Sequence, residues 1–263
     1  MINFIYPSVA FNKKEVDPCY EQERSLAKKN GYETYLVDLE SIKPLKIAND
    51  NVCIYRGWML DKDQYELLYH CTNNKLINNC NQYLFSHHIP NWYPVLDKHT
   101  MDSIFLDPSE SIVIDKKYFV KDWVKSLKTK SGSVVENNEQ LKQLIEDMKK
   151  FRGHIEGSLV LRQWLDLDSS SEVRFFVLNG SVFSKDTMVS EEYMKLAFEV
   201  GYKISGYTNF ACFDIISDKN NKSWLVEIGD GQVSDAVGWR LEDFYTVLDA
   251  AKKSEIKTKL SLL

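Results

Sequence analysis

Two apolar runs near the C-terminus each deliver one carboxylate: Phe210-Ala211-Cys212-Phe213-Asp214-Ile215-Ile216 and Ser223-Trp224-Leu225-Val226-Glu227-Ile228-Gly229. Both have β-strand composition, and the polar stretch from Ser217 to Lys222 between them has that of a hairpin turn, so the simplest pairing is antiparallel. An ionised acid on such a strand is costly to bury without a positive partner. Asp214 and Glu227, facing each other across the ladder with Asp230 just beyond, would hold a hard cation such as Mg²⁺ in an all-oxygen site. The alternative is that either acid pairs with a Lys or Arg at a sheet edge.

A second constellation is basic. Lys121 ends the apolar run Tyr118-Phe119-Val120, Lys125 follows four residues on, and Lys128, Lys130 and the loop Ser131-Gly132-Ser133 come next. Ammonium groups and backbone N–H donors in that order suit phosphate oxygens, although so many lysines in a short span are, taken alone, more often a solvated loop. The Walker pattern Gly-x-x-x-x-Gly-Lys-Ser/Thr is absent. In a third constellation, Ser158-Leu159-Val160-Leu161-Arg162-Gln163-Trp164-Leu165 leads through a polar link into Glu172-Val173-Arg174-Phe175-Phe176-Val177-Leu178 and an Asn179-Gly180 turn. Arg174 lies among large apolar residues and needs an anion, either a phosphate or an acid such as Asp186. His87-His88 is not expected to form a metal site, because adjacent residues on an extended chain point to opposite faces.

The elements that must position these residues fall into two styles. Met1 to Tyr6, Glu33 to Leu39 and Val52 to Tyr55 read as strands. Lys14 to Asn30, Asp61 to Tyr69 and Asn73 to Tyr83 read as helices. Strands alternating with helices predict a small open α/β domain over residues 1–105. The aromatic, irregular segment Asn91-Trp92-Tyr93-Pro94 marks the approach to its end; Trp92, like the other tryptophans, is more often a core or rim residue, with a place lining a substrate cleft as the alternative. Residues 106–263 read as α+β, with a break near 186. Short strands at Ile112 to Ile114, Tyr118 to Lys121, Leu159 to Leu165, Glu172 to Leu178 and Ser181 to Phe183 accompany helices at Asn138 to Phe151, Glu191 to Lys203 and Trp239 to Lys253.

Composition narrows the class. A chain of 263 residues, 44% hydrophobic and with a formal net charge of -5, can bury a sizeable core and has no electrostatic footprint for non-specific nucleic-acid binding. No run reaches the length of a membrane span, and the N-terminus lacks a basic, then apolar leader, so a cytoplasmic protein is expected. The odd cysteine count, without any Cys-x-x-Cys, suits reduced structural thiols. Oligomeric state stays open.

Taken in this order, the lysine-bearing strand with its small-residue loop, the hinge strand, the Glu-x-Arg strand and the paired Asp and Glu strands resemble the ATP-grasp superfamily of carboxylate-amine ligases. The likeness extends to its clade named for one arginine and two lysines, covers about Ser111 to Asp249, and takes in Tyr55-Arg56-Gly57-Trp58. It implies a two-subdomain fold holding ATP between antiparallel sheets, preceded by the small α/β domain. Lys121 and Lys125 would contact ATP phosphates under the Ser131-Gly132-Ser133 loop. Gln163, Trp164 and Leu165 would meet adenine, and Glu172 the ribose hydroxyls. Arg174 would face the γ-phosphate and the developing acyl phosphate, while Asp214 and Glu227 would hold Mg²⁺. The superfamily usually shows Glu-x-Asn where this chain has Glu227-Ile228-Gly229, so Asp230 or Gln232 would supply the missing oxygen, or metal binds more weakly. The activity implied joins a small-molecule, peptide or protein carboxylate to an amine. A catalytically weak nucleotide-binding interaction module and an ATP-dependent phosphotransferase are the alternatives.

Overall fold

A computed structural model describes residues 2–107, 109–110, 112–127, 132–185, 189–236 and 238–248. In chain order the strands and helices are β1 (Ile2–Val9), β2 (Asn12–Val16), α1 (Glu21–Lys29), β3 (Glu33–Val37), β4 (Val52–Tyr55), α2 (Lys62–Cys71), α3 (Cys80–His87) and α4 (Ile89–Leu96). There follow β5 (Ser103–Leu106), β6 (Tyr118–Asp122), β7 (Val134–Val135), α5 (Asn138–Arg152), β8 (Leu159–Gln163), β9 (Val173–Leu178), β10 (Ser181–Ser184), α6 (Glu191–Ile204), β11 (Phe210–Ser217) and β12 (Ser223–Asp230). Residues 241–248 are also helical. Among the described residues no helix is long and apolar enough to cross a membrane.

By contacts the chain forms two units. The first comprises residues 1–86, 174–213 and 229–263, and the second 87–173 and 214–228. This division is discontinuous, unlike the sequential one expected at 105/106. The chain passes between units inside β9, β11 and β12, which with β10 form a sheet ordered β10-β9-β11-β12.

In the first unit β1 pairs in parallel with β3 and β4. Both faces of β1 are covered: Phe4 and Tyr6 join a cluster with Phe176, Phe210 and Phe244, while Ile5 joins Tyr55, Tyr65, Leu68 and Tyr83. That is the burial of a parallel sheet, and it explains the consecutive apolar residues Phe4-Ile5-Tyr6 at the centre of this strand. The expected helix from Lys14 begins only at Glu21, because Asn12–Val16 folds back antiparallel on β1. The helix expected at Asn73 begins at Cys80; Asn73 and Asn74 adopt left-handed backbone (φ 54° and 59°) and make a turn instead.

In the second unit an antiparallel sheet ordered β5-β8-β6-β7 carries the cluster of Tyr118, Val120, Leu159 and Leu161 with Leu141, Leu144 and Met148 of α5. Asn137 caps α5 by accepting from Gln140 N, and Gly153 (φ 78°) ends it in the left-handed conformation. Ile112 to Ile114 is not a strand; β5 takes the place beside β8. The aromatic segment around Trp92 is helix α4, with Trp92 buried in the protein rather than lining a cleft.

Candidate functional site

On β6 the side chains alternate, so Tyr118 and Val120 enter the core of the second unit and Lys121 points to the other face. Lys121 opposes Val160 on β8, and Arg162 lies two residues further along, diagonal to it on the same face. Both cations are buried. Lys121 Nζ lies 3.6 Å from Glu227 Oε2. Burial, with the nearby Arg162 charge, holds its pKa below the usual lysine value despite the attraction of Glu227. Arg162 donates from Nη1 to Val226 O (2.6 Å) and from Nη2 to Thr100 Oγ1 (2.5 Å). Its Nε is buried and has no hydrogen-bond partner, and burial pushes its pKa down to about 10. A buried guanidinium with an idle N–H, next to a buried ammonium, is an anion-receiving arrangement.

After Lys121 the chain turns tightly. Asp122 Oδ1 accepts from Val124 N (2.8 Å) and Lys125 N (2.7 Å), and Ser126 returns to pair with Lys121. The turn therefore sets Lys125, which is exposed, one step beyond Lys121. Ser133, expected in the loop over the phosphates, fastens the base of that loop: its Oγ accepts from Leu127 N (2.9 Å) and donates to Leu127 O (3.0 Å). Gly132 has φ 66° with open space around its Cα, and Ser131, Lys128 and Lys130 lie outside the described residues.

The hinge expectation places Gln163 at the end of β8 with Trp164 and Leu165 following. Gln163 N donates to Asp102 O (2.8 Å) and Trp164 N to Lys117 O (3.4 Å), so these two N–H groups are committed. The Trp164 ring is part-exposed and carries Lys117 Nζ 4.2 Å from its centroid. Glu172 is exposed and precedes β9.

Asp214 on β11 is buried and Glu227 on β12 is half-exposed. The strands are neighbours joined by a short hairpin in which Asp218 N bonds to Lys222 O (2.9 Å), and a link that short requires the antiparallel arrangement. Glu227 has the lysine partner that the edge-pairing alternative called for.

The other oxygens expected at the metal are hydrogen-bonded within the first unit. Asp230 belongs to the first unit, fully buried, where Oδ2 accepts from Asn78 Nδ2 (2.5 Å) and Oδ1 from Gln232 N (2.9 Å) and Gln232 Nε2 (3.2 Å). Burial outweighs these bonds and raises its pKa to about 7. Gln232 cannot stand in either, since Nε2 also donates to Tyr65 Oη (2.7 Å) and Oε1 accepts from Tyr55 N (3.1 Å). A Cβ on Gly229 would lie 2.8 Å from Ser234 Oγ and 3.3 Å from Cys212 Sγ, two atoms 2.9 Å apart, so a side chain there requires Ser234 to shift. In the same unit Arg174 Nη1 donates to Asp235 O (2.9 Å), and Asp186, its alternative partner, lies outside the described residues. Arg56 forms a buried pair with Glu23 (2.7 Å) and binds the carbonyls of Gly231, Gln232 and Ser234, anchoring the segment after β12.

Sequence reasoning missed Arg162 and Asp122. Arg162 carried the same signal as Arg174, a cation inside an apolar strand, and Asp122 that of an acid beside a strand-ending lysine. It also set aside His87 and His88, whose ring nitrogens come together with a Glu156 carboxylate oxygen within 4.8 Å. The reason is local: His87 ends α3 and His88 caps α4, so the two are not neighbours on an extended strand.

The chain matches no protein-family model and no curated protein. Among solved structures it is similar to the D-cycloserine synthetase DcsG, with 10% identity, TM-score 0.61, and 88% of this chain and 92% of that one covered. It is similar to D-alanyl-alanine synthetase A from Vibrio cholerae O1 biovar eltor at 12% identity and TM-score 0.59, covering 89% and 90%. A third likeness, to the ATP-grasp ligase PsnB complexed with minimal precursor, has 12% identity and TM-score 0.57 and covers 95% and 99%. At such identities the likeness is one of fold, and the chain has a mixed α/β architecture with several antiparallel sheets of the ATP-grasp kind.

Proposed function

We propose that this chain is an ATP- and Mg²⁺-dependent carboxylate-amine ligase, which activates a carboxylate as an acyl phosphate and passes it to an amine with release of ADP and phosphate. The observation that carries the reading is the pair of buried cations on one sheet face, Lys121 and Arg162, with Arg162 Nε lacking a partner. Phosphoryl transfer needs charge stabilisation and positioning more than a nucleophilic side chain, and this is the chemistry such a face supplies. In this reading Lys121, Lys125 and Arg162 hold phosphate oxygens, and the loop at Ser131, Gly132 and Ser133 covers them. Gln163, Trp164 and Leu165 receive adenine, Glu172 the ribose, and Arg174 steadies the transferred group. Within the superfamily we place the chain with the clade named for one arginine and two lysines.

The donors present fit Mg²⁺. Asp214 and Glu227 are hard-oxygen donors on neighbouring strands and would hold the ion together with nucleotide phosphate oxygens and water, as is usual for Mg²⁺ with nucleotides. The metal would neutralise charge developing on those oxygens. The neighbours named for D-cycloserine and D-alanyl-alanine synthesis support amino-acid-like or peptide carboxylates and amines as substrates. Five free cysteines suit a reducing compartment such as the cytoplasm.

A second reading, a nucleotide-binding module with little catalysis, is favoured by Gly229 standing where the superfamily usually has Asn. Calorimetric titration of ATP with and without Mg²⁺ into the wild type and Asp214→Asn is the first test. Mg²⁺-dependent binding, lost in the variant, is expected. Hydroxylamine trapping of the acyl phosphate and ADP release with carboxylate and amine pairs then test turnover. Failure of the wild type to bind ATP removes the ligase reading. Binding without turnover favours the module, and phosphate left on the substrate means a phosphotransferase.

A further inference from the structure

We infer that His87, His88 and Glu156 form a binding site for one divalent transition-metal ion of the zinc class, built on the second unit next to the Lys121–Lys125 turn. It is separate from the Asp214 and Glu227 pair, and it does not depend on the ligase reading.

Among the described residues this is the one group of three histidine, cysteine or carboxylate side chains whose donor atoms lie within 4.8 Å of one another. Zinc bound to nitrogen and oxygen at about 2.0–2.1 Å places neighbouring ligands about 3.3 Å apart. His88 Nε2 and Glu156 Oε1 are already 3.1 Å apart, so only the remaining donor has to close in. Two imidazoles and one carboxylate leave a fourth position to water, and this nitrogen-rich set favours zinc over Mg²⁺ or Ca²⁺. His87 is buried while His88 and Glu156 are only part-buried, which leaves a route for the ion.

The scaffold is over-determined. The ligands come from the α3–α4 junction and from the turn before β8, and both are fastened to the residues that follow Lys121. Ile89 N donates to Trp123 O (3.1 Å) and Trp123 N to Glu156 O (3.2 Å), while Glu156 N donates to Asp122 Oδ2 (3.2 Å). Gly157 adopts φ 68°, and a Cβ on it would collide with the Trp123 ring, so the turn lies flush against that ring. The same ring sits 5.4 Å from that of His88. An ion here would fix the segment 122–123 and with it the turn carrying Lys121 and Lys125.

The competing account is a hydrogen-bonded His88–Glu156 pair beside a buried neutral histidine, with no metal. Tag-free full-length protein, nucleotide-free, separates the two by calorimetric titration of Zn²⁺ and by the visible absorption of added Co²⁺. One bound equivalent is expected, with the intense bands of a low-coordinate Co²⁺ site. His88→Gln and Glu156→Gln should each weaken affinity at least tenfold while far-ultraviolet circular dichroism stays unchanged. His87, being buried, is left intact so that folding does not confound the result. Absence of a bound equivalent in the wild type, or unchanged affinity in either variant, overturns the proposal.

Discussion

Lys121→Met separates the cost of a buried charge from its use. The Lys121 side chain is 8% exposed and that of its partner Glu227 48%, at 3.6 Å between Nζ and Oε2. Two unit charges at that distance interact by about 4–5 kcal/mol at an effective dielectric of about 20. With one partner half in water, measured pairs of this kind fall to about 1 kcal/mol or less. Against this stands a desolvation penalty of several kcal/mol for a buried ion, increased here by repulsion from Arg162. The penalty wins, which is why the lysine pKa is lowered. Methionine keeps the length and apolar stem without the charge. We expect the variant to be more stable than the wild type by about 1–3 kcal/mol, or by roughly 2–4 °C in Tm for each kcal/mol, while losing ATP binding.

The pH dependence has a fixed sign. A lysine with a lowered folded pKa binds fewer protons folded than unfolded between that value and 10.5. Wild-type stability therefore rises with pH across this window, and below it the penalty is in full force. The advantage of Lys121→Met should shrink as pH climbs through the window. Scanning calorimetry across pH, with ATP titration at neutral pH, reads both effects. A variant less stable than the wild type by 1 kcal/mol or more would show the lysine to be a structural ion-pair member. A variant binding ATP normally would remove Lys121 from the phosphate site.

Gly229→Asn, which restores the residue type usual in the superfamily, should cost about 1–3 kcal/mol through overpacking against Ser234, and Ser234→Ala should recover part of it; urea denaturation of the single and double variants reads this, and an unimpaired Gly229→Asn contradicts it. Asp230, with its pKa raised from 3.8 to about 7, binds more protons folded than unfolded in that window. Stability should fall as pH rises through it, by up to about 4 kcal/mol from this residue. Asp230→Asn should flatten the slope in urea midpoints measured from pH 4 to 7.5, and an equally steep variant refutes the assignment.

Much of the scaffold is legible where local pattern and long-range pairing agree. The strands at Val52, Tyr118, Leu159 and Phe210, and the capped helix α5, follow their apolar spacing. Disagreement arises where a distant partner decides. The polar run Asn12 to Val16 has no helix-breaking residue, yet pairing with Ser8 and Val9 makes it a strand. Ser103 to Leu106 is too short to stand out from its sequence, and only the offer of β8 as a neighbour makes it one. Asp230 follows the same rule: between two glycines after an acidic strand it looks like a metal ligand, but Asn78, 152 residues earlier, already fills its oxygen.

The same physics ranks the ionisable residues that sit in or beside apolar strands. Sequence states that each needs a partner; only the fold states whether the partner is complete. Arg56 has Glu23 and three carbonyls, and Asp230 has Asn78 and Gln232, so both are consumed in holding the chain. Arg162 keeps a buried Nε without an acceptor, and Lys121 meets a carboxylate that water shares. Structural charges are those whose partners the chain supplies in full, and a deficit left on a buried cation is what an anionic ligand would fill. On that criterion Arg162, which the sequence reading passed over, outranks Arg174, whose guanidinium already reaches the Asp235 carbonyl, as the arginine to test first for contact with ATP.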